Sequence, residues 1–491
     1  MSNAPYDVVI GLEVHVQLST NTKLFCRCST QFGASPNTQT CPVCLGLPGS
    51  LPVMNREAFA LSMKTAIALN CEIPPFTKWD RKQYYYPDLP KGYQISQFDL
   101  PMSQNGWLEI SDSQGKFETK KVGITRAHLE DDAGKSMHDE AAGKADSRID
   151  LNRTGTPLLE IVSEPDMRSA EEARAYLTEL KLILTYLGVS DCNMQEGSLR
   201  VDANINLHLN EGGEKIATPI VEVKNMNSFR AVERALNFEA GRQYEVWKEK
   251  KQRLGDVPKQ TRGWDDQAEV TKPQRSKEES SDYRYFPDPD LVPVRVTPDE
   301  VETVRGTLGD LPKQLRETLA AKYKLSEYDA DVIVNQGREV VSYYRDVADN
   351  CGDPKKASNW IQQDVMRTLN EEAISIDQFG IRAGELAALI KAVSDGQLDN
   401  SRAKDVFAKM LDDKLSAAEA MKQLGIEKID DSEIVDLCRE LLEANPRIVA
   451  DVQGGKQQAV GALIGQAKKK NPNANPGKVR ETCLQLIAEM E

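Results

Sequence analysis

The segment IGLEVHVQL, residues 10–18, decides how the first half of the chain is read. Side chains alternate across a β-strand, so Leu12, Val14, Val16 and Leu18 share one face while Glu13, His15 and Gln17 share the other. One face belongs to a core. The other is either an ordinary solvated edge or a place for chemistry, and the segment alone leaves both open.

The same period returns in LRVDANINLHL (199–209), where Leu199, Val201, Ala203, Ile205, Leu207 and Leu209 alternate with Arg200, Asp202, Asn204, Asn206 and His208. EGGE (211–214) is a turn signal and IVEVKN (220–225) follows, which predicts a hairpin. The polar face of this sheet is rich in groups that bind ions and phosphates; a merely solvated face would carry Lys, Glu and Thr. In SAEEARAYLTELKLILTYLG (169–188), Ser169 and Glu172 form a capping box, and Ala173, Tyr176, Leu177, Leu180, Leu184 and Leu187 make the apolar stripe. Gly188 is the stop. A second helix is expected from about Ser228 to Arg253, and the polar stretch 255–280 reads as a mobile loop. Beyond DPDLVPV the pattern becomes helix upon helix, beginning with LPKQLRETLAAKY (311–323).

The expected class is therefore α+β. An antiparallel-sheet domain occupies 1–293, an all-α domain 294–400 and a small all-α tail 401–491, with the last join near SDGQLDNSRAKD (394–405). A chain of 491 residues is too long for one core and suits roughly three domains. Its 40% hydrophobic and 28% charged residues are those of a globular protein. No apolar run is long enough to span a membrane, and MSNAPYDVVI lacks the basic-then-apolar order of a signal peptide, so a cytoplasmic protein without membrane contact is expected.

The 62 basic and 76 acidic residues leave a net charge of −14, which repels nucleic acid on average. Any RNA contact must use a local patch. Residues 452–480 supply one, with Lys456, Lys468, Lys469, Lys470, Lys478 and Arg480 and no acid, although such a run is equally a solvated face.

Four of the nine cysteines, Cys26, Cys28, Cys41 and Cys44, are clustered, and the other five are scattered singly. Two short-spaced pairs joined by a loop can close a tetrahedron of thiolates around Zn²⁺. Four thiolates leave no open coordination position, so the expected zinc is structural. Carboxylates interrupt three further stretches: GLEVH, HLEDDAGK (128–135) and NRTGTPLLEIVSEPD (152–166). Glu160 lies in an apolar run, where a carboxylate is costly unless paired or bound to a cation. If the stretches converge, Glu13, His15, Glu130 and Glu160 form a mixed oxygen and nitrogen site for a divalent ion that carries nucleotide phosphates. Neither a G-x-x-x-x-G-K-[ST] loop nor a strand-associated G-x-G-x-x-G fingerprint is present, so a nucleotide would be held chiefly through metal ions and sheet residues.

GLEVHVQL, RKQYYYPDLPKGYQISQFDLP (81–101), HLEDDAGK, NRTGTPLLEIVSEPD, EGSLRVDANIN, VEVKNMNSF and DYRYFPDPDLVP occur in the order seen in the B subunit of the heterotrimeric tRNA-dependent amidotransferase, which the chain resembles throughout. That family converts glutamyl-tRNA(Gln) or aspartyl-tRNA(Asn) to the amide form with ATP. The resemblance implies a glutamine-synthetase-like cradle followed by a helical domain and a tail that touches the tRNA body. Its metal positions fall on Glu13, His15, Glu130 and Glu160, with Mg²⁺ or Mn²⁺ as the ion. Arg200, Asp202, Asn204 and Lys224 become further nucleotide contacts, and Lys82, Tyr86 and Lys91 contacts for the nucleotide or the RNA 3′ end. Where the family more often has two glutamates this chain has Glu130 and Asp131, so a ligand role carries over to Glu130 alone. The cysteine cluster is not shared by every member, which assigns it to scaffolding. The chain has no Gly- and Ser-rich amidase region and no cysteine beside glutaminase partners. The resemblance accordingly implies a separate amidase-type glutaminase A subunit and a small C subunit. Two other classes remain open on the residues alone: a non-catalytic tRNA-binding scaffold, and a metal-dependent phosphoesterase.

Overall fold

The computed structural model describes residues 5–138, 147–274, 283–426, 431–471 and 473–490. The chain divides into two compact units, Met1–Pro312 and Lys313–Glu491.

In the first unit nine strands form one sheet: β1 (Tyr6–Gln17), β2 (Ser103–Ile110), β3 (Lys120–Asp131), β4 (Pro157–Ser163), β5 (Leu199–Glu211), β6 (Glu214–Ala217), β7 (Val221–Lys224), β8 (Gln260–Asp265) and β9 (Val270–Pro273). Their order is β9-β8-β7-β5-β1-β4-β3-β2, with β6 attached to β5. Every pairing is antiparallel except β7 with β8. β1 lies in the interior of the sheet, and its Ile10, Leu12, Val14 and Val16 are almost wholly buried. Those residues join one apolar cluster with Ala66 of α1 (Arg56–Ala68), Tyr176 and Leu180 of α2 (Ala170–Tyr186), and Val232 and Leu236 of α3 (Phe229–Lys250). The apolar alternation read in residues 10–18 thus packs against helices, and the Glu13–His15 face is the opposite one.

One local reading is refined and two change. The pair Gly212–Gly213, both at positive φ, turns β5 into β6, and after a break β7 returns antiparallel alongside Ile205 and Ala203, so the expected hairpin is present with its second arm split into β6 and β7, both paired to β5. The stretch 255–280, read as a mobile loop, contains β8 and β9, and its residues 275–280 lie outside the described residues. These strands lie at the end of the sheet and bury Thr261, Trp264 and Thr271 without apolar alternation, so periodicity missed them. Ser169 caps α2 by accepting from Glu172 N, but the reciprocal half of the box is absent. Glu172 instead accepts from Arg168 N at 2.8 Å and from Lys120 at 3.0 Å.

Gly106 in β2 shows how closely the layers approach. A Cβ there would lie 2.7 Å from the Leu69 carbonyl oxygen and would overlap Cys71 Sγ. Trp107 N donates to that same carbonyl at 2.9 Å, so the backbone has little room to retreat. Gly106→Ala is expected to cost about 1–3 kcal/mol of stability, read as a lower denaturant midpoint.

In the second unit every element among the described residues is helical. The helix Arg338–Cys351 buries Val340, Val341, Tyr344, Val347 and Ala348 along one stripe. From Ile434 to Ile487 a separate apolar cluster forms around Cys438, Leu441, Leu463, Val479 and Cys483. Among the described residues no helix is long and apolar enough to cross a membrane.

Candidate active site on the polar face of the sheet

Strand register builds the site. His15 of β1 lies opposite Arg200 of β5 on one side and Glu160 of β4 on the other, and Glu160 lies opposite His128 of β3. Four chemically competent side chains therefore form one row across four neighbouring strands. Glu130 joins from two residues along β3, on the same face as His128. His15 Nε2 is 3.6 Å from Glu160 and 3.8 Å from Glu130, and His128 Nε2 is 3.5 Å from Glu160.

His15, Glu130 and Glu160 can each present a ligand atom within 4.8 Å of the others. Glu13 falls in a neighbouring group of the same kind with Asp202 and Glu222. There Asn204 donates to Glu13 at 2.9 Å, and Lys224 is paired with Asp202 and lies 3.5 Å from Glu222. The sequence-predicted quartet is thus drawn as two adjacent carboxylate groups on one face. His128, Glu222 and Asp132 were not anticipated. HLED carries the same Glu-and-His alternation as GLEVH, which could have revealed His128.

Burial raises the Glu130 carboxyl to about 7, with Glu160 adding repulsion. For His15 burial opposes the charge, but Glu160 and Glu130 outweigh it and hold the imidazole above its ordinary value. Burial brings His128 down to about 4, against the pull of Glu160, so this imidazole is neutral. Burial also works against ionised Glu160, yet the charge that His128 gains in the acid range and the neighbouring His15 hold it well below the usual carboxylate range. Such a buried set is short of positive charge, and a divalent cation would supply it. His128 Nδ1, Arg200 Nε and Asn204 Oδ1 are buried without hydrogen-bond partners, as expected of groups arranged for a ligand. The donor set fits a hard or borderline cation.

Around this centre, Arg200 donates to Asp132 at 2.9 Å, and Gln17 donates to the same carboxylate at 2.9 Å. Asp131 is occupied by Lys91 and by Ile95 N at 2.6 Å, away from the ligand groups. Lys82 Nζ lies 4.8 Å from the Tyr283 ring centre and 5.9 Å from that of Tyr84. Tyr86 is 62% exposed, with its ring edge-on to Tyr84. Tyr285 stacks on Phe98 at 4.1 Å, so the DYRYFPDPD stretch adjoins the aromatic run; its Asp282 lies outside the described residues.

The four clustered cysteines converge, with their Sγ atoms all within 4.8 Å of one another. Cys41 N donates to Cys44 Sγ at 3.0 Å across the short helix Pro42–Leu45. A hydrogen bond from Cys26 draws the Cys44 thiol below its ordinary range, against burial and with help from Lys23. Four sulfurs in this arrangement fit a tetrahedral zinc.

The basic segment is less open than its composition suggests. Lys456, Lys468 and Lys470 pair with Asp451, Asp399 and Glu440 at 3.2, 2.5 and 2.5 Å. Lys468, Lys469 and Lys470 also end the helix Gly461–Lys470, where cations complement the helix dipole. Lys478 is half-buried, while Lys469 and Arg480 are exposed without an ion pair among the described residues.

Residues 8–302 match the family model described as the GatB/GatE catalytic domain, and residues 342–487 match that of the GatB domain. The B subunit of the aspartyl/glutamyl-tRNA(Asn/Gln) amidotransferase of Rhodopirellula baltica is 63% identical over 486 residues, spanning 99% of this chain and 98% of that protein. The corresponding B subunit of Carboxydothermus hydrogenoformans is 44% identical over 489 residues, spanning 99% of each. That of a Geobacter species is 45% identical over 485 residues, spanning 98% and 99%. This chain belongs to the GatB family, the B subunits of aspartyl/glutamyl-tRNA(Asn/Gln) amidotransferases.

Proposed function

We propose that this chain is the activating subunit of a glutamine-hydrolysing, ATP-dependent ligase that amidates glutamyl-tRNA(Gln), aspartyl-tRNA(Asn) or both. It works as one chain of a heterotrimer with an amidase-type A subunit and a small C subunit, in the cytoplasm. The row Arg200–His15–Glu160–His128, with Glu130 beside it, is the observation that carries this reading.

In the reaction, a side-chain carboxylate oxygen of the mischarged amino acid attacks the γ-phosphorus of ATP and ADP leaves. Ammonia released by the partner subunit then attacks the acyl carbon, phosphate leaves and the amide remains. His15, Glu130 and Glu160 would hold one divalent ion, Mg²⁺ or Mn²⁺. Glu13 would complete the ligand set from the adjoining group, together with Asp202. The ion when bound supplies charge neutralisation for phosphate oxygens. Arg200 and Lys224 offer positive charge to the same oxygens, and Asn204 holds Glu13 in place. His128, with Nε2 at 3.5 Å, flanks Glu160 on the side away from His15. Lys82 and Tyr86 face the RNA 3′ end or the nucleotide, whereas Lys91, buried in its ion pair with Asp131, positions that segment rather than touching a ligand. The cradle comprises 1–293 and holds the zinc loop, the helical domain 294–400, and the tail 401–491. The separate apolar cluster Ile434–Ile487 supports independent packing of the tail.

The reconstituted complex tests the function: with ATP and ammonium chloride replacing glutamine, it should convert glutamyl-tRNA(Gln) to glutaminyl-tRNA(Gln). ATP left unconsumed in the presence of mischarged tRNA would favour a non-catalytic RNA scaffold. In the tail, Lys469→Ala and Arg480→Ala should each weaken tRNA binding uniformly across sequences and lower the salt slope by about one. An unchanged slope in both variants would move the RNA contact elsewhere.

A further inference from the structure

Lys23 is among the largest wholly buried side chains of the molecule, and its burial is not explained by a carboxylate. Its Nζ donates to the Gln39 carbonyl oxygen at 2.7 Å and lies 3.4 Å from that of Leu151; among the described residues it has no acidic partner. Two carbonyl dipoles are poor compensation for a buried ammonium, which loses several kcal/mol of hydration on leaving water. A counter-charge should therefore lie close by.

The local backbone shows where. Lys23 N donates to the Cys28 carbonyl at 3.0 Å, and Thr22 bridges to Ser29, so Lys23 is clipped to the first cysteine pair. Its Nζ acceptor Gln39 lies two residues before Cys41, in the second pair's approach. Gly155, at φ +85°, sits between the stem of Lys23 and Cys44: a Cβ there would be 3.5 Å from Lys23 Cδ and 3.5 Å from Cys44 Cβ. The Lys23 backbone is thus tied to the first cysteine pair, its ammonium to the approach of the second, and its stem packs against the same glycine as Cys44.

We infer that Lys23 is the built-in counter-ion of the four-cysteine zinc centre, a positioning residue that offsets the net double negative charge of Zn²⁺ with four thiolates. This rests on the zinc reading of the cluster. A divalent ion with four thiolates is an anion, and with Cys44 buried and the other three cysteines half-buried it too loses hydration that a nearby positive charge offsets. Placed together the two compensate, and the chelate holds its metal against competition from protons and chelators. The hydrogen bonds from Nζ to the Gln39 and Leu151 carbonyls then tie the charge pair to the loop's second half and to the chain that enters β4.

The test uses the intact complex, with zinc content by elemental analysis and zinc release to a chromogenic chelator as readouts. Lys23→Gln keeps a hydrogen-bond donor for the carbonyls but removes the charge, whereas Lys23→Arg keeps the charge. Wild type should carry about one zinc per copy of this chain; folded Lys23→Gln should release it at least about tenfold faster, and Lys23→Arg should stay within a few-fold of wild type. Folded Lys23→Gln releasing zinc at the wild-type rate would overturn the counter-ion role. If Lys23→Gln does not accumulate, Lys23→Arg decides: zinc-replete protein supports the charge requirement, and folded protein poor in zinc overturns it. Wild-type protein free of zinc would instead overturn the zinc reading itself.

Discussion

His15→Ala should abolish activation of the mischarged amino acid while leaving the partner subunit's glutamine hydrolysis measurable. His15 is the only side chain in the row that lies within ion-pairing reach of both Glu130 and Glu160. Removing it leaves two buried carboxylates facing one another, with the neutral His128 beside Glu160 alone. One carboxyl would then take up a proton, and the divalent site would lose both a nitrogen ligand and a carboxylate ligand. A metal-dependent phosphoryl transfer draws several kcal/mol from its ion, so the rate of ADP formation should fall roughly a thousandfold, about 4 kcal/mol. Single-turnover measurement of ADP with glutamyl-tRNA(Gln) reads this effect. A variant that folds, binds tRNA and forms ADP within a few-fold of wild type would remove His15 from the metal site.

Cys41→Ser and Cys44→Ser should behave differently, because their cluster closes a loop and contains no open coordination position. Serine is a poor zinc ligand, and a three-thiolate remnant loses its metal. Binding free energy of a structural zinc is folding free energy, so both variants should lack zinc and melt at least about 5 °C lower, with a loss of yield on expression. The loop carries Leu24, whose N donates to Gly155 O at 2.8 Å, and Asn55, which caps α1 by accepting from Glu57 N and Ala58 N. Its loosening would thus reach the helix that packs under the sheet. Amidation should decline only in proportion to folded protein. A stable, zinc-loaded but inactive Cys44→Ser protein would place the cluster in the chemistry instead.

Much of the site was legible from alternation. GLEVH, LRVDANIN and the isolated Glu160 announce a strand face on which acids, a histidine and an arginine recur, and all of them lie on the polar side of one sheet. Register was not legible: which residue of Pro157–Ser163 lies opposite His15 depends on pairing between strands distant in sequence, and a slip of one residue would turn Glu160 into the core. Glu13 shares a strand face with His15, and its nearness to Asp202 and Glu222 follows only from the pairing of β1 with β5 and of β5 with β7. Glu222 hides in VEVK because its neighbours are apolar and only the strand's far face reveals it. The strands at Gln260–Asp265 and Val270–Pro273 were missed for another reason: at the end of the sheet, threonines and one tryptophan satisfy packing without period-two apolar residues. In the tail the lysines were visible, but the acids that neutralise Lys468 and Lys470 come from Asp399 and Glu440, outside the acid-free run.

The phosphorylation step is placed in this chain, and ATP hydrolysis by the co-expressed heterotrimer reads it without interference from glutamine. With ammonium chloride and glutamyl-tRNA(Gln), the wild-type complex should hydrolyse ATP at a tRNA-stimulated rate. The Glu13→Gln complex should lose that stimulation while still binding tRNA. Equal stimulation in the two complexes would put the chemistry outside this polar face and leave the chain as a scaffold for the RNA.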